Sequence, residues 1–266
     1  MALVRRISPH LPRTAAFVLA PVLLTQGSRT LARVPRLPEA GGPTTGVVGA
    51  SAEVGAQEPG AAGVGDVVRL LVVGESTAVG VGVDTHEEGM AAALARRIHD
   101  DTGRPVRWTV IGRNGARLRT GRGRRLPDVV GEYDLAVVVL GVNDTLGLTS
   151  VGRWEREMIA LLERTRACLR PGALVVLAGV PQLGAFPALP QPLRFVMGRH
   201  GRALDDVLAE IASRHVDVTH VPTPELDDDR DLATDGFHPS GRGYRRWADR
   251  LYDEAIHARV VARRRP

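Results

Sequence analysis

The chain has 266 residues, enough for one substantial domain with extensions, and its 44% hydrophobic and 24% charged content is ordinary for a globular protein. The net charge of +5 comes from arginine, because the sequence contains no lysine. Acidic residues lie between the arginines and aromatic residues are scarce, which argues against a nucleic-acid partner. The lone Cys168 excludes an internal disulfide and a cysteine-based zinc site; its helical surroundings predict a small core residue.

The first 37 residues combine arginines with an apolar stretch at positions 15–24. Spanning a bilayer takes about 20 apolar residues, whereas about 7–15 form the core of a signal peptide. We therefore expect residues 1–37 to be a targeting or membrane-anchoring segment. This expectation favours a secreted or membrane-associated protein over a cytoplasmic one, and a disordered tail stays open as the alternative.

Three further regions follow along the chain. Residues 38–66 are rich in Gly, Ala, Pro and Val without periodicity, which predicts a flexible linker. Residues 67–258 alternate short apolar runs with amphipathic patterns and should form the folded domain. Residues 259–266 are expected to be a basic tail.

The folded region has the pattern of a parallel sheet covered by helices on both faces. Its predicted strands are mostly apolar and alternate with helices; they cover residues 67–73, 105–111, 134–140, 173–178 and 216–220. Five such strands predict a flavodoxin-like three-layer α/β sandwich of strand order 2-1-3-4-5. In this architecture ligands bind beyond the carboxyl ends of the strands, where the strand order reverses.

Four short motifs should meet at that edge of the sheet. They are Gly-Glu-Ser-Thr at 74–77, Gly-Arg-Asn-Gly at 112–115, Gly-Val-Asn-Asp at 141–144, and Asp-Gly-Phe-His-Pro at 235–239. The first three follow predicted strands, and the fourth precedes the last helix. A glycine after a strand is common by itself, so the combination and order of the motifs carry the information.

This order of motifs resembles that of the SGNH hydrolases, the GDSL-type esterases and lipases, over residues 67–258. The resemblance implies that Ser76 is a nucleophile and that Asp235 and His238 complete a triad with it. It implies an oxyanion hole formed by Ser76, Gly115 and Asn143. It further implies cleavage of a carboxylic ester through an acyl-enzyme, with no metal or organic cofactor.

The residue types suit that chemistry. A serine hydroxyl becomes nucleophilic when an imidazole takes its proton, and a carboxylate orients the imidazole and stabilises its cation. A glycine at 115 lets the backbone approach a substrate closely. One position departs from the family pattern, because Glu75 stands where an aspartate is usual; this leaves the triad intact but puts the hydrogen bonds around the serine in question.

Each motif also has a simpler interpretation. Ser76 could be a turn or helix-cap hydroxyl, and Asn143 and Asp144 a turn residue and a helix cap. A phosphate cradle at 74–82 is disfavoured, since the stretch lacks both the Gly-x-Gly-x-x-Gly pattern and a Walker lysine. The combination of four motifs favours the hydrolase over these alternatives.

The stretch Val180–Gly198 predicts where an acyl group binds. It follows the fourth strand and carries apolar residues among prolines, of which Leu183, Phe186 and Leu189 are candidate pocket residues. Packing against the next helix would explain them equally well. The expected substrate is a small-molecule or lipid-like ester. Alternatives are an acyltransferase or carbohydrate O-acyl esterase using the same triad, and a non-catalytic binder of acylated ligands; the sequence does not reveal the oligomeric state.

Overall fold

The structure, a computed structural model, describes residues 20–33, 35–49, 67–118, 131–186, 189–226 and 228–262. The expectations for residues 1–19, for 50–66 of the linker, and for the end of the basic tail at 263–266 lie outside these ranges. The strands are β1 (Thr45–Val48), β2 (Val68–Gly74), β3 (Val106–Gly112), β4 (Tyr133–Val139), β5 (Leu169–Ala178) and β6 (Val218–Val221).

The described helices lie before, between and after these strands. They are α1 (Ala20–Arg33), α2 (Met90–Thr102), α3 (Val142–Leu146), α4 (Val151–Arg166), α5 (Leu193–Ser213), α6 (Asp228–Asp231) and α7 (Gly241–Leu251). The last of these continues through a π-helical turn (Tyr252–Ile256) into α8 (His257–Ala262). Short 3-10 turns lie at His86–Glu88 and Leu183–Ala185.

The sheet confirms the predicted α/β fold and adds one strand to it. Its order is β1-β3-β2-β4-β5-β6, and every neighbouring pair is parallel except β1 and β3. Without β1, the order is the predicted 2-1-3-4-5. The chain runs from the central β2 outward to β3 and then returns to β4 on the other side of β2, so the strand order reverses at the end of β2.

Successive side chains of the central strands point to opposite faces of the sheet, and each face carries a hydrophobic core. On β2, Leu70 and Val72 face the core built with α2 and α7, while Leu71 and Val73 face the core built with α4 and α5. All four side chains are fully buried. A strand covered on both faces is mostly apolar, which explains the nearly continuous hydrophobic runs in the sequence.

The linker prediction is wrong for its first part, because Thr45–Val48 form the edge strand β1. A strand can pair through backbone groups alone, so weak side-chain periodicity did not reveal it. The glycines also have a packing role: a Cβ on Gly46 would collide with the indole ring of Trp108. Small residues in this segment therefore allow close approach to the sheet.

One smaller prediction also needs correction. Helix α4 ends at Arg166, and strand β5 begins at Leu169. Cys168 lies in the turn between the two elements and is only partly buried. It is thus not the helical core residue that its surroundings in the sequence suggested.

Helix α1 lies within the predicted targeting or anchoring segment and packs against the domain. Leu23 is buried, and the Gln26 side chain donates to the Gln191 carbonyl oxygen at 2.6 Å and accepts from the Leu193 N–H at 3.1 Å. α1 has 14 residues, and among the helices of the described ranges none is long and apolar enough to cross a membrane.

Truncating the central strand should destabilise the protein strongly. We expect Leu70→Ala to lower the free energy of unfolding by about 2–5 kcal/mol, because it opens a cavity in a fully buried site. Leu24→Ala is the matched control, since Leu24 is 73% exposed on α1, and it should cost less than about 0.5 kcal/mol. Urea unfolding measures both, and equal losses would contradict the assignment of Leu70 to the core.

Candidate active site

Four loops meet at the carboxyl edge of the sheet. The first (residues 75–85) follows β2, the second (113–118) follows β3, and the third (140–148) follows β4 and contains α3. The fourth (232–239) precedes α7. The four sequence motifs lie at or in these loops, around the point where the strand order reverses.

Ser76 lies in a tight turn at the end of β2. The Ala78 and Val79 N–H groups both donate to the Glu75 carbonyl oxygen, and the Val81 N–H donates to that of Ser76 at 3.0 Å. Gly74 permits the turn, because a Cβ there would collide with the Val139 carbonyl oxygen. The residue Ser76 is 7% exposed, so the turn holds it at a covered but accessible position.

The fourth loop joins Asp235 and His238. The imidazole Nδ1 lies 2.6 Å from the Asp235 Oδ2, while Asp235 Oδ1 accepts from the backbone N–H groups of Phe237 and His238 at 2.9 Å each. Burial raises the pKa of Asp235, but these hydrogen bonds together outweigh it and hold the pKa below its ordinary value. Asp235 is therefore an ionised acceptor that fixes the ring and leaves Nε2 available.

The first and fourth loops pack against each other at Gly82. A Cβ on Gly82 would collide with the Pro239 carbonyl oxygen and would lie 3.4 Å from the His238 Cβ. Tyr244 of α7 strengthens the junction by donating to the Val81 carbonyl oxygen at 2.7 Å. Within the described ranges no hydrogen bond joins the Ser76 hydroxyl to His238, so the structure brings together their loops and the Asp235–His238 pair.

Glu75 connects the first loop to the third. Its carboxylate accepts from the backbone N–H groups of Val142 and Asn143, at 2.8 and 3.1 Å, and from the Asn143 side-chain amide. Burial raises the pKa of Glu75 to about 7, and the nearby Asp144 adds to this, while the hydrogen bonds oppose it. The departure from the usual aspartate thus places a buried acid that orients Asn143.

Asp144 makes the equivalent connection between the third and second loops. It is fully buried inside α3 and accepts from the Leu118 N–H at 3.0 Å and from the Thr149 hydroxyl at 2.7 Å. Burial raises its pKa. Asp144 is therefore not the helix cap considered above. Gly115 lies in the second loop with φ of 70°, a left-handed conformation that suits glycine.

The three candidate pocket residues belong to one apolar cluster beside the fourth loop. Leu183 and Leu189 are buried in it, and the partly buried Phe186 packs on Phe237 with ring centroids 5.3 Å apart. Phe237 in turn lies 5.5 Å from the His238 ring. Phe186 is therefore the candidate whose contacts lead to the imidazole, whereas the two leucines form the supporting core.

Several of these roles were not predicted from the sequence. Glu75 was noted only as a departure, Asp144 as a cap, and Phe237 only as part of its motif. The signal for Glu75 was an acid directly after the apolar run Leu70–Val73 and Gly74, a position that is buried once the sheet is covered. Across the described residues, no group of three or more His, Cys, Asp or Glu side chains is arranged to hold a metal ion.

Comparison with protein families identifies the domain. The family model described as GDSL-like lipase/acylhydrolase matches residues 72–246, which include all four loops and the Ser76, Asn143, Asp235 and His238 positions. The chain belongs to the GDSL-like lipase/acylhydrolase family. This confirms the resemblance inferred from the four motifs.

Individual relatives agree with this family. The chain is 31% identical over 193 residues to the GDSL-like esterase Rv1075c of Mycobacterium tuberculosis, covering 70% of this chain and 60% of that protein. It thus spans well under the full length of this curated relative. The fold is similar to that of the lipase Lip_vut3 from a goat rumen metagenome, at 18% identity and TM-score 0.56, covering 71% and 98% of the two chains. A carbohydrate acetylesterase family member from Sinorhizobium meliloti shares the fold at 18% identity and TM-score 0.50, covering 73% and 99%.

The raised pKa of Glu75 predicts a pH-dependent stability. The folded protein retains the Glu75 proton up to about pH 7, whereas the unfolded chain releases it near 4.5, so stability falls as the pH rises between these values. Across this window the wild type should lose about 3 kcal/mol of unfolding free energy relative to Glu75→Gln, which cannot titrate.

Denaturant titrations of both proteins at several pH values measure this difference. Glu163→Gln is the matched control, because it makes the same substitution at an exposed position on α4. Parallel pH profiles for the wild type and Glu75→Gln would contradict the buried, raised-pKa acid.

Proposed function

We propose that the protein is a serine esterase that cleaves a carboxylic ester through an acyl-enzyme on Ser76. The observation that carries the proposal is the Asp235–His238 pair, held at 2.6 Å on a loop that packs against the loop of Ser76. With Nδ1 bonded to Asp235, the free Nε2 of His238 takes the proton of Ser76 as the hydroxyl attacks the ester carbonyl. His238 then returns the proton to the leaving alcohol and activates the water that releases the acid.

The proposed oxyanion hole combines the Ser76 and Gly115 N–H groups with the side-chain amide of Asn143. Negative charge develops on the carbonyl oxygen in the tetrahedral intermediate, and donors fixed in advance stabilise it by about 3–4 kcal/mol each. The Glu75 carboxylate supports this role, because it binds one N–H of the Asn143 amide and thereby aims the other. Asn143 consequently needs no reorientation during the reaction.

The proposed substrate has an apolar acyl group. The rings of Phe186 and Phe237 extend from His238 into the cluster that contains Leu183 and Leu189, so an acyl chain on Ser76 has an apolar surface beside it. The related mycobacterial protein is named an esterase, and one structural relative a lipase. No metal or organic cofactor is needed for these steps.

Removing the nucleophile tests the mechanism. We expect Ser76→Ala to lower kcat for a p-nitrophenyl ester by about ten-thousandfold or more and to abolish labelling by an active-site phosphonate. Ser213→Ala, which changes an exposed serine at the end of α5, should retain full activity and labelling. Phosphonate labelling that persists in Ser76→Ala would refute the assignment.

Truncating Phe186 tests the acyl surface. We expect Phe186→Ala to lower kcat/KM roughly tenfold for an octanoyl ester, because the chain loses apolar contact area, and to leave an acetyl ester within about twofold. Phe195→Ala is the matched control, since Phe195 is 58% exposed on α5, and it should leave both substrates unaffected. An unchanged chain-length preference in Phe186→Ala would remove this surface from the proposal.

A further inference from the structure

A short segment ahead of the family domain crosses the first two active-site loops. We call residues 39–44 the strap; they lie between α1 and β1, outside the matched residues 72–246. The Ala40 N–H donates to the Val79 carbonyl oxygen at 3.0 Å, and the Gly41 N–H donates to that of Asp84 at 2.8 Å. Ala40 is buried against Gly80. The strap is thereby fixed on the loop that carries Ser76.

The strap also contacts the second loop through one side chain. The Glu39 carboxylate accepts from the Asn114 backbone N–H at 2.7 Å, immediately before Gly115. A hydrogen bond from a backbone N–H restricts the orientation of the peptide group that carries it. Glu39 therefore binds the peptide group adjacent to the one that supplies the Gly115 N–H.

The geometry of the second loop explains why this contact matters. The Ala116 N–H closes a turn onto the Arg113 carbonyl oxygen at 3.1 Å, with Gly115 left-handed in its third position. In such a turn the central peptide, which carries the Gly115 N–H, can rotate unless its neighbours are fixed. Asp144 fixes the far side at Leu118, and Glu39 fixes the near side at Asn114.

We propose that Glu39 is a positioning residue for the oxyanion hole, which holds the second loop so that the Gly115 N–H points at the developing oxyanion. This inference rests on the proposed function. The strap stays in place without the Glu39 carboxylate, because backbone bonds and the pairing of β1 with β3 hold it independently. Loss of the carboxylate should therefore release the second loop alone and impair the transition state more than substrate binding.

The test compares Glu39→Ala and Glu39→Gln in the full chain with a p-nitrophenyl ester. We expect Glu39→Ala to lower kcat roughly fivefold with KM within about twofold, and to weaken inhibition by a trifluoromethyl ketone in parallel. Glu39→Gln should recover most of the loss, since its amide oxygen still accepts. Glu163→Ala removes an exposed carboxylate elsewhere and should leave kcat unchanged.

Combining Glu39→Ala with substitutions of Asn114 tests the hydrogen bond between Glu39 and the Asn114 N–H. Asn114→Pro removes the donated N–H, and proline suits the second position of this turn; Asn114→Ala retains the N–H. Glu39→Ala should lower kcat in the Asn114→Ala background and have no further effect in Asn114→Pro. An equal effect in both backgrounds, or a Glu39→Ala variant with unchanged kcat, would overturn the inference. If Ser76→Ala is inactive in the same assay, such a result rejects the role of Glu39 and leaves the proposed function standing.

Discussion

The active-site edge depends on the hydrogen bonds that the buried Glu75 carboxylate receives from α3. Gly141 is the residue immediately before α3. Its φ is 132°, and a Cβ on it would lie 2.6 Å from a Val180 methyl group, so no residue with a capping side chain fits at this position. The first N–H groups of a helix nevertheless need acceptors. Glu75 supplies them from the neighbouring strand end, where its side-chain oxygens accept from the Val142 and Asn143 N–H groups. A single side chain therefore satisfies the helix and joins two loops.

The same arrangement occurs in the other loops, where a carboxylate accepts hydrogen bonds from backbone N–H groups that have no partner within a helix or strand. Asp144 does so for the second loop, and Asp235 for its own turn. An unpaired buried N–H costs about 1–3 kcal/mol, so each acid stabilises one loop conformation against the alternatives. The acids are themselves buried, and burial raises the pKa of Glu75 and Asp144. Burying them lowers the free energy of unfolding, while their hydrogen bonds fix the arrangement of the backbone N–H groups.

The sequence predicted the parts of this protein in which side-chain pattern and backbone structure are tightly coupled. Strands that lie inside a covered sheet are mostly apolar, so the five core strands, their order and the edge that carries the candidate site could all be inferred. The Asp235–His238 pair was predictable because three residues of one turn place both side chains together. By contrast, the roles of Glu75 and Asp144 depend on which backbone groups other loops present, and a linear pattern does not contain that information.

The segment that contains the strap and β1 is a second case in which the sequence did not reveal backbone contacts. Its glycines and alanines suggested a linker, since they offer too little apolar surface to fold alone. In the structure it needs little surface of its own, because β1 and the strap attach through backbone groups to a sheet edge that already exists. Small residues are then an advantage: Gly46 fits against Trp108 and Ala40 against Gly80, where larger side chains would collide. Composition measures whether a segment can fold by itself, and it is uninformative about a segment that completes a preformed edge.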